Sequence, residues 1–578
     1  MSKADYLNVL SMPTSIIAIT TLFTSAYLLY QWLLPKPIPG IPYNEEAARS
    51  IFGDITSLRN YLKGSKVITD WMLSHNKRHD SPIVQVFANL FGTPWVIISD
   101  SFEAQDIVMR RTKEFDKPDD LSDMFYSIAP DHHTVQPTND QWRAQRKLIQ
   151  DLISSAFLNS VAAQQLHTNF SDLITLWSEK MRLSEGRAFN VKADVYNTAL
   201  EAIWACLFGL EGQQTVTREQ IEMLSQLKNV TLPSSKNKEA VFDGATVPPA
   251  FDAIFELAES LENVVKSPLP RMTGLYMRYI DSGTRRKIKL KDDVIHEQIT
   301  KAEKRMEISE SKDKIHAAVD HMLRREKMVA EKQNRNPDYH SKYMSAELFG
   351  LLIAGHDTTS TTLLWALKFL AHHDSIQTRL RTNLQTSFSQ ARSESRLPSA
   401  HEIATSNIPY MDACIEEILR HSKTGLLISR TATTDAMILG HIVPKGTRVY
   451  MMLNGPGVLE PAYKIPDTLR SPSFHATNGG KTSDWDARDV KVFNPERWLV
   501  GSGNGKVFNA QAGPQMAFGG GKRGCFGKRL AYLELKTVIA LIVWSFVLEK
   551  VPEQYAGWEA MDQLTHQPVD CYVKLRKV

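Results

Sequence analysis

One stretch indicates the fold more strongly than the rest of the sequence: Phe518-Gly519-Gly520-Gly521-Lys522-Arg523-Gly524-Cys525-Phe526-Gly527. It places a single cysteine in a glycine-rich loop that runs directly into a long apolar helix. Glycine lets a flat ligand approach the main chain closely, and the free N–H groups and dipole of a helix N-terminus stabilise a thiolate. Cys525 is therefore either the axial ligand of a haem iron or a buried structural cysteine in a glycine-rich turn.

The stretch fits the pattern F-x-x-G-x-R-x-C-x-G without a gap, and it resembles the haem-binding signature of cytochromes P450. The resemblance implies that Cys525 ligates the iron of haem b, that Phe518 packs beside it, and that Arg523 pairs with a haem propionate. Gly519 and Gly527 belong to the same haem-binding loop. The implied fold is mainly α with small β-sheets, a cytochrome P450 fold preceded by one N-terminal transmembrane helix.

The composition excludes several classes of protein. The chain has 578 residues, of which 43% are hydrophobic and 23% charged, as is ordinary for a globular protein. Its net charge of +4 is too small to indicate a nucleic-acid partner. The four cysteines are scattered without a CxxC pair, so we expect free thiols in a reducing compartment. No linker rich in Ser, Gly and Pro divides the chain after its N-terminal segment, which favours one large catalytic unit.

The N-terminus has the composition of a membrane anchor. Residues 6–35 contain no charged side chain, and about 20 apolar residues suffice to cross a bilayer as a helix. A signal peptide and a buried amphipathic helix are the alternatives. Microsomal P450s are similar in this region, so we expect an anchor over residues 1–35, a Pro-rich hinge over 36–45 and a catalytic domain over 46–578. The implied location is the endoplasmic reticulum membrane, single-pass, with the catalytic domain in the cytosol.

Most of the remaining chain shows apolar residues at three- and four-residue spacing, which predicts helices. The clearest predicted helices cover residues 142–157, 191–210, 250–265, 344–372 and 529–548. Runs typical of strands are fewer and cover residues 83–87, 95–98, 436–439, 448–452 and 571–575.

The segment Ala354-Gly355-His356-Asp357-Thr358-Thr359 lies inside the longest predicted helix. Gly and consecutive Thr weaken a helix interior, so we expect a local break with a groove that holds water. The run resembles the oxygen-activating element A/G-G-x-D/E-T-T/S of P450s. The resemblance implies that Thr358 steers protons to dioxygen, that Asp357 is its partner acid, and that Ala354 and Gly355 shape the groove beside the haem. His356 occupies the variable position, and we do not expect it to bind iron.

Other motifs predict the scaffold around the haem. Glu417 and Arg420 stand three residues apart on one helix face, and they resemble the E-x-x-R element of P450s. In that family an arginine of a PERF-like motif joins the pair, here Arg497 in Pro495-Glu496-Arg497-Trp498. We interpret these three residues as a structural triad.

A second set of residues resembles the propionate-binding positions of the family. Trp142 and Arg146 form a W-x-x-x-R element whose side chains share one helix face. Arg430, ten residues after Arg420, occupies the place of a further propionate-binding cation.

The basic residues Arg143, Lys147, Lys528 and Arg529 flank these motifs. They would steer an acidic electron donor, which the resemblance identifies as NADPH–cytochrome P450 reductase. The GxGxxG within the cysteine loop has no βαβ unit around it, so it does not indicate a fused flavin or nicotinamide domain. The adjacent pairs His132-His133 and His372-His373 do not match a zinc motif.

Three functions fit a haem–thiolate protein of this kind. The first is a monooxygenase that inserts one atom of O2 into a lipophilic small molecule by hydroxylation, epoxidation or multi-step oxidation. The second is an isomerase or dehydratase of the same fold that needs no reductase, and the third is a non-enzymatic haem binder. Asp357 and Thr358 favour the first, since peroxide-rearranging relatives often lack proton-delivery residues. Residues 425–428 predict an apolar substrate wall, and residues 471–485 resemble fungal P450s of secondary-metabolite biosynthesis.

Overall fold

The computed structural model describes residues 3–90, 92–117, 119–209, 214–267, 269–308, 315–478, 484–501 and 505–578. The α-helices are α1 (Lys3–Leu33), α2 (Glu45–Ala48), α3 (Ile55–Gly64), α4 (Ile68–His79), α5 (Ser101–Met109), α6 (Asp119–Tyr126), α7 (Asp140–Leu148), α8 (Ser155–Phe157), α9 (Ala163–Ser184), α10 (Lys192–Phe208), α11 (Val216–Ser225), α12 (Pro249–Val265), α13 (Pro270–Tyr279), α14 (Ser282–Ile308), α15 (Ala318–Lys332), α16 (Lys342–His372), α17 (Asp374–Ser387), α18 (Ser389–Ser393), α19 (Ala400–Thr405), α20 (Pro409–Ser422), α21 (Pro472–Asn478) and α22 (Lys528–Ser545). Helices therefore dominate the described part of the chain.

The strands are short and form small sheets. They are β1 (Ile83–Val86), β2 (Trp95–Ile98), β3 (Phe115–Asp116), β4 (Phe189–Asn190), β5 (Leu427–Ala432), β6 (Ala436–Ile438), β7 (His441–Val443), β8 (Arg448–Met452), β9 (Leu499–Val500), β10 (Val507–Phe508), β11 (Phe546–Glu549), β12 (Ala560–Asp562), β13 (His566–Pro568) and β14 (Tyr572–Lys577). The largest sheet has the order β1-β2-β8-β5-β3, in which β2 and β8 run parallel and the other pairs antiparallel. A smaller sheet has the order β11-β14-β4, and β12 pairs with β13 as a hairpin.

Helix α16 is the central element of the protein. The Ser341 hydroxyl caps its N-terminus by accepting the Met344 N–H, and most of its side chains are buried. A helix that is apolar on nearly every face belongs in the interior of a large domain. It packs against α10, α20 and α22 within one continuous hydrophobic core, which also includes α9.

Helix α1 stands apart from this core. Its segment Ile16–Leu33 is 18 residues long, has a mean hydropathy of 1.4 and is not buried anywhere in the protein. By length and composition this helix can cross a membrane. The segment after it, residues 34–44, has no helical structure, as its prolines require.

The structure differs from the sequence-based expectations in three places. The helix expected over 142–157 ends at Leu148 and continues as short 3-10 and α turns, and the helix expected over 529–548 gives way to strand β11 at Phe546. The break expected at residues 354–359 is wrong, because α16 is helical throughout. The Thr358 hydroxyl donates to the Ala354 carbonyl at 2.7 Å, so the polar side chains are accommodated without unwinding. Within the stretch 471–485, residues 479–483 lie outside the described residues.

Candidate active site

A cavity of about 460 Å3 lies between α16 and the loop that contains Cys525. It brings together most of the site residues expected from the sequence, namely Trp142, Arg146, Ala354, Gly355, Thr358, Arg430, Phe518, Arg523, Cys525 and Gly527. Gly519 belongs to the same loop but does not line the cavity, and the Asp357 side chain lies behind the wall. Sequence positions almost 400 residues apart therefore meet at one place.

The cysteine loop folds back on itself before α22 begins. The Cys525 N–H donates to the Phe518 carbonyl at 2.8 Å, which closes the loop. Gly519 and Gly521 adopt φ values of +64° and +63°, a left-handed conformation that favours glycine. A β-carbon on Gly521 would lie 2.2 Å from the Val108 carbonyl oxygen, so this position also needs glycine for space.

The Cys525 sulfur faces the cavity at the N-terminus of α22. Burial on its other sides raises the pKa of the thiol, whereas hydrogen bonds from the backbone N–H groups of Gly527 and Lys528 lower it. The Arg146 charge acts in the same direction as these hydrogen bonds. Burial is the largest effect and the pKa of the free thiol is raised overall, but the donors and the cation offset part of this shift and would stabilise the thiolate, which is the form that ligates metals.

Three guanidinium groups, those of Arg146, Arg430 and Arg523, line the same cavity. Burial lowers the pKa of Arg430 and of Arg523 to about 10, and the charges of Arg430 and Arg146 contribute to the shift at Arg523. The guanidinium groups repel one another, and the Asp116 carboxylate partly offsets this repulsion at Arg523, whose Nε lies 4.0 Å from it. The excess of positive charge suits an anionic ligand.

Aromatic rings fix the orientation of two of these cations. The Arg523 guanidinium lies 4.5 Å from the Trp142 ring centre, and its Nε donates to the Thr138 hydroxyl at 2.9 Å. Arg146 lies 4.7 Å from the ring centre of Phe526. Phe518 packs against Tyr532 on α22 at 5.1 Å between ring centres. The expected neighbourhood of Trp142, Arg146 and the cysteine loop is therefore present.

The residues of this cavity fit a haem. A cysteine held by N–H donors supplies a thiolate ligand, and clustered guanidinium groups supply partners for two propionates. Opposite the cysteine, Ala354 and Gly355 present a wall with almost no side chain. Gly355 packs tightly on its other side, since a β-carbon there would lie 2.6 Å from the Ile203 side chain.

The acid and the hydroxyl expected to act together do not touch. Thr358 lines the cavity and donates to Ala354, as described above, whereas the Asp357 side chain is directed away from the cavity and is buried. Its Oδ2 accepts a hydrogen bond of 2.9 Å from the Thr565 hydroxyl, and its Oδ1 lies 3.5 Å from the Tyr196 hydroxyl. Burial raises the pKa of Asp357 to about 6, although these hydrogen bonds partly oppose the shift.

Glu534 is a buried acid of the cavity wall that the sequence reasoning missed. Its Oε2 accepts a hydrogen bond of 2.8 Å from the Thr359 hydroxyl, and its Oε1 has no hydrogen-bond partner. Burial raises its pKa to about 8. The available signal was a single carboxylate within the otherwise apolar face of α22.

Glu417 is the centre of a buried hydrogen-bond cluster below the cavity. It accepts bonds from Arg420 at 2.7 and 2.9 Å, from Arg497 at 3.1 Å and from the Trp498 indole at 2.9 Å. Burial alone would raise its pKa, but the bonds from Arg420 and His421 outweigh burial and hold the pKa well below its usual range. The residues of the expected triad thus lie in direct contact.

Glu347 is a further buried carboxylate, and it lies beside the adjacent pair His132 and His133. It accepts hydrogen bonds from the His133 backbone N–H at 2.8 Å, from Gln145 at 2.9 Å and from the His133 ring at 2.7 Å. The His132 Nε2 lies 3.4 Å from it, so the three side chains are close enough to share a metal ion. The sequence had suggested no such grouping, because Glu347 is more than 200 residues away along the chain.

The apolar wall expected from residues 425–428 is only partly correct. Gly425 lines the cavity, whereas Leu427 and Ile428 pack into neighbouring hydrophobic clusters. Strand β5 alternates its side chains between two faces of its sheet, so a continuous apolar run does not point in one direction. The apolar surface of the cavity comes instead from Phe125, Ala129, Ile203, Leu351, Ile353 and Leu564.

Comparison with known proteins agrees with this geometry. The family model for Cytochrome P450 matches residues 61–483 and 488–567. The chain is 37% identical over 576 residues to Cytochrome P450 monooxygenase TRI13 of Fusarium sporotrichioides, covering 96% of this chain and 97% of that protein. It is 34% identical to Cytochrome P450 monooxygenase xilC of Penicillium crustosum, with 97% and 96% covered. It is 32% identical to Cytochrome P450 monooxygenase GME11363 of Pestalotiopsis microspora, with 98% and 99% covered.

A cysteine-centred, cation-lined cavity under a long central helix defines a haem–thiolate protein. The chain belongs to the cytochrome P450 family. The expected family and the expected fold, mainly α with small sheets, are confirmed. The expected enzyme class, a P450 monooxygenase, is confirmed by the same relatives.

Proposed function

We propose that this P450 monooxygenase uses a Cys525-ligated haem, dioxygen and electrons from NADPH to oxidise a lipophilic small molecule in fungal secondary-metabolite biosynthesis. The proposal is supported mainly by one observation, the Cys525 thiol and the Thr358 hydroxyl facing the same cavity. The names of the three relatives support the reaction type, and their fungal sources support the biological setting.

The cavity residues divide the work of holding the haem. Cys525 would ligate the iron, and the guanidinium groups of Arg146, Arg430 and Arg523 would bind the propionates. When bound, the haem supplies the redox chemistry that activates dioxygen. The glycine-rich loop would let the haem approach the protein main chain, and Ala354 with Gly355 would leave space in the cavity for oxygen and substrate.

The polar residues of α16 are suited to supplying protons. Monooxygenation consumes protons as well as electrons, and a general acid works best when its pKa lies near the working pH. The pKa of Asp357, raised by burial to about 6, meets this requirement. Thr358 lines the cavity itself, where its hydroxyl can exchange protons with water beside the reacting oxygen.

Substrate binding relies on the apolar part of the cavity. Phe125 and Ile353 contribute to this surface together with Leu564 from the C-terminal hairpin loop. Ligand pockets of this kind use apolar contact for affinity and a few polar groups for orientation. The haem would occupy part of the same cavity of about 460 Å3, so a lipophilic molecule of modest size would bind in the part lined by these apolar residues.

Electrons would come from a separate NADPH–cytochrome P450 reductase. The exposed cations Arg143 and Lys147 on α7 and Lys528 at the start of α22 form a basic surface beside the cysteine loop. Such a surface attracts an acidic flavoprotein domain. Helix α1 would anchor the enzyme in the endoplasmic reticulum membrane with residues 46–578 in the cytosol, and residues 36–45 would act as the hinge.

The haem ligand can be tested with two cysteine variants of the full-length protein. Cys525→Ser should lose the carbon monoxide difference spectrum typical of a thiolate-bound haem, because no sulfur remains to ligate the iron. Cys206→Ser is the matched control, since this cysteine on α10 is buried in the hydrophobic core away from the cavity lining, where its thiol donates to the Ala162 carbonyl at 4.0 Å. An unchanged spectrum in Cys525→Ser would refute the assignment.

The reaction type requires a turnover experiment. Candidate secondary metabolites are screened for a substrate-induced spin shift of the haem, and those that bind are incubated with reductase, NADPH and 18O2. We expect one 18O atom in each product molecule and no product without reductase. Turnover without NADPH would indicate an isomerase or dehydratase instead, and binding without any turnover of O2 would indicate a haem binder.

A further inference from the structure

Asp357 contacts a hydroxyl that the sequence did not single out. Its Oδ2 accepts a hydrogen bond of 2.9 Å from Thr565 Oγ1, 208 residues further along the chain. Thr565 also lies 2.8 Å from the Thr361 hydroxyl, one turn further along α16. Thr565 is one of the residues that line the cavity, whereas Asp357 is not part of the lining. Thr565 thus stands between the buried acid and the space where oxygen is reduced.

A row of polar side chains leads from Asp357 to the protein surface. The Tyr196 hydroxyl lies 3.5 Å from Asp357 Oδ1 and donates to Gln567 Oε1 at 3.0 Å. Gln567 donates in turn to Gln563, whose amide donates to the partly exposed Glu262 at 2.8 Å. The acid is therefore connected on one side to solvent-accessible groups and on the other side to the cavity.

We propose that Thr565 carries the proton of Asp357 into the cavity, and that Tyr196 is the side from which Asp357 is protonated again. The inference rests on the proposed monooxygenase function and adds a residue from outside α16 to its proton supply. Neighbouring residues of an α-helix point about 100° apart, so Asp357 and Thr358 face different directions. A hydroxyl from the loop between β12 and β13 bridges this gap.

The proton balance of the relay is simple. The carboxyl O–H of Asp357 passes its proton to Thr565 Oγ1, while the proton already on that hydroxyl passes to a water molecule in the cavity. Asp357 is left as a carboxylate and takes up the Tyr196 hydroxyl proton, while Tyr196, which is partly exposed, takes up a proton from solvent water. The Gln567 and Gln563 amides orient the Tyr196 hydroxyl and carry no proton themselves. Thr565 ends as it began, a neutral hydroxyl, so it is a relay and not a proton source.

The electrostatic surroundings of Asp357 permit this cycle. Burial raises its pKa to about 6, so that both protonation states are accessible near neutral pH. The titratable groups that influence it are the Tyr196 hydroxyl, the Lys192 ammonium and the Glu259 carboxylate. The Lys192 charge lowers the pKa of Asp357 but is the smallest of the contributions, so it does not prevent the carboxyl from holding a proton.

The relay can be tested without knowing the substrate, with dioxygen alone as the probe. Wild type, Thr565→Val, Thr565→Ser and Thr537→Val are compared as full-length holoenzymes with reductase and NADPH. Thr537→Val is the matched control, because Thr537 is as buried as Thr565 but does not line the cavity, and its hydroxyl donates to the Leu533 carbonyl of its own helix at 2.7 Å. The measurements are NADPH consumed, O2 consumed, hydrogen peroxide released and the rate ratio between H2O and D2O.

We expect Thr565→Val to slow NADPH consumption about a hundredfold, the low end of what general acid catalysis contributes. The fraction of O2 released as hydrogen peroxide should rise. Without the relay, the protons needed to reduce O2 fully to water reach the cavity more slowly, so that more peroxide is released first. The deuterium effect should change as well, which a purely structural role would not cause. Thr565→Ser should restore wild-type behaviour because it keeps the hydroxyl, and Thr537→Val should match wild type.

Two results would overturn the relay. The first is a Thr565→Val enzyme that retains the haem–thiolate spectrum and equals wild type in rate, peroxide fraction and deuterium effect. The second is a Thr565→Ser enzyme as impaired as Thr565→Val. If Thr565→Val does not fold, Tyr196→Phe takes its place, and wild-type kinetics in that variant would equally refute the path. A wild-type holoenzyme that forms no oxygenated product with reductase and NADPH from any metabolite that shifts its spin state would instead refute the proposed function, and the relay with it.

Discussion

The Thr359 hydroxyl donates a hydrogen bond of 2.8 Å to the Glu534 carboxylate, and this bond joins α16 to α22 in the wall of the cavity. One helix carries the oxygen-side residues and the other begins at the cysteine loop. The bond therefore links the two faces between which a haem would lie. The second carboxylate oxygen of Glu534 is buried without a partner, which is costly for a charged acid.

Glu534 should make the stability of the protein depend on pH. Burial raises its pKa to about 8, whereas an unfolded glutamate has a pKa of about 4.3. Between these values the folded protein holds a proton that the unfolded chain has released, so the free energy of unfolding falls as pH rises. Glu534→Gln cannot lose a proton, and its Tm minus that of wild type should increase from pH 5 to pH 8.5. Differential scanning fluorimetry measures this difference, and parallel Tm curves for the two proteins would contradict it.

Removal of the Glu417 carboxylate should prevent assembly of the holoenzyme. Glu417→Ala leaves Arg420 and the Trp498 indole buried without their acceptor, and breaking a buried ion pair costs about 3–5 kcal/mol. We expect the haem–thiolate spectrum of this variant to be absent from both the soluble and the membrane fraction of the cells. The control is Glu45→Ala, which removes an exposed pair with Arg49 at 3.6 Å that is worth at most about 1 kcal/mol. Equal haem content in both variants would show that the cluster around Glu417 is dispensable.

Motifs close together in sequence were the part of the site that could be predicted. The cysteine loop is a single short segment directly before α22, and Glu417 and Arg420 lie within one turn of the same helix. In both cases the spacing of the residues along the chain fixes their geometry. Glu534 and Thr565 could not be found in this way. Their partners Thr359 and Asp357 are 175 and 208 residues away, and only the packing of α16 against α22 and the C-terminal hairpin brings them together.

The predicted break of α16 was wrong for a related reason. Propensity describes an isolated helix, whereas most helical stability in a protein comes from tertiary packing. The packing of α16 against α10 and α22 outweighs the unfavourable propensity of its two glycines and four threonines. Gly355 contributes to this packing, because its lack of a side chain allows Ile203 to approach.

Arg430 should determine how tightly the haem is held. A hydrogen bond between charged groups contributes about 1.5–3 kcal/mol, so Arg430→Met should release haem to apomyoglobin roughly tenfold faster or more than wild type. Arg430→Lys keeps the charge but not the planar fork of donors, and an intermediate rate is expected. Arg49→Met, at an exposed arginine, serves as the control. Identical release rates for Arg430→Met and wild type would exclude a propionate contact.

Deletion of residues 1–35 should release the protein from membranes without changing the haem site. Helix α1 is exposed along Ile16–Leu33, and the first buried side chain after it is Ile38. Fractionation after carbonate washing should find the full chain in the membrane pellet and the truncated chain in the supernatant. The truncated protein should keep the haem–thiolate spectrum. A truncated chain that aggregates or lacks haem would show that α1 also belongs to the folded domain.

Reversal of charge beside the cysteine loop should weaken the interaction with the reductase. Arg143 and Lys147 stand four residues apart on α7. Arg146 of the same helix packs on Phe526, next to Cys525, so this basic surface lies close to the proposed haem ligand. We expect Lys147→Glu to raise the KM for reductase several-fold at low salt and to leave kcat at saturating reductase unchanged, since only the encounter is affected. The difference from wild type should shrink as ionic strength rises and screens the charges. Lys63→Glu, on the exposed side of α3, should behave as wild type. An equal rise of KM in both variants would show that the net charge of the protein, and not a local docking surface, controls binding of the reductase.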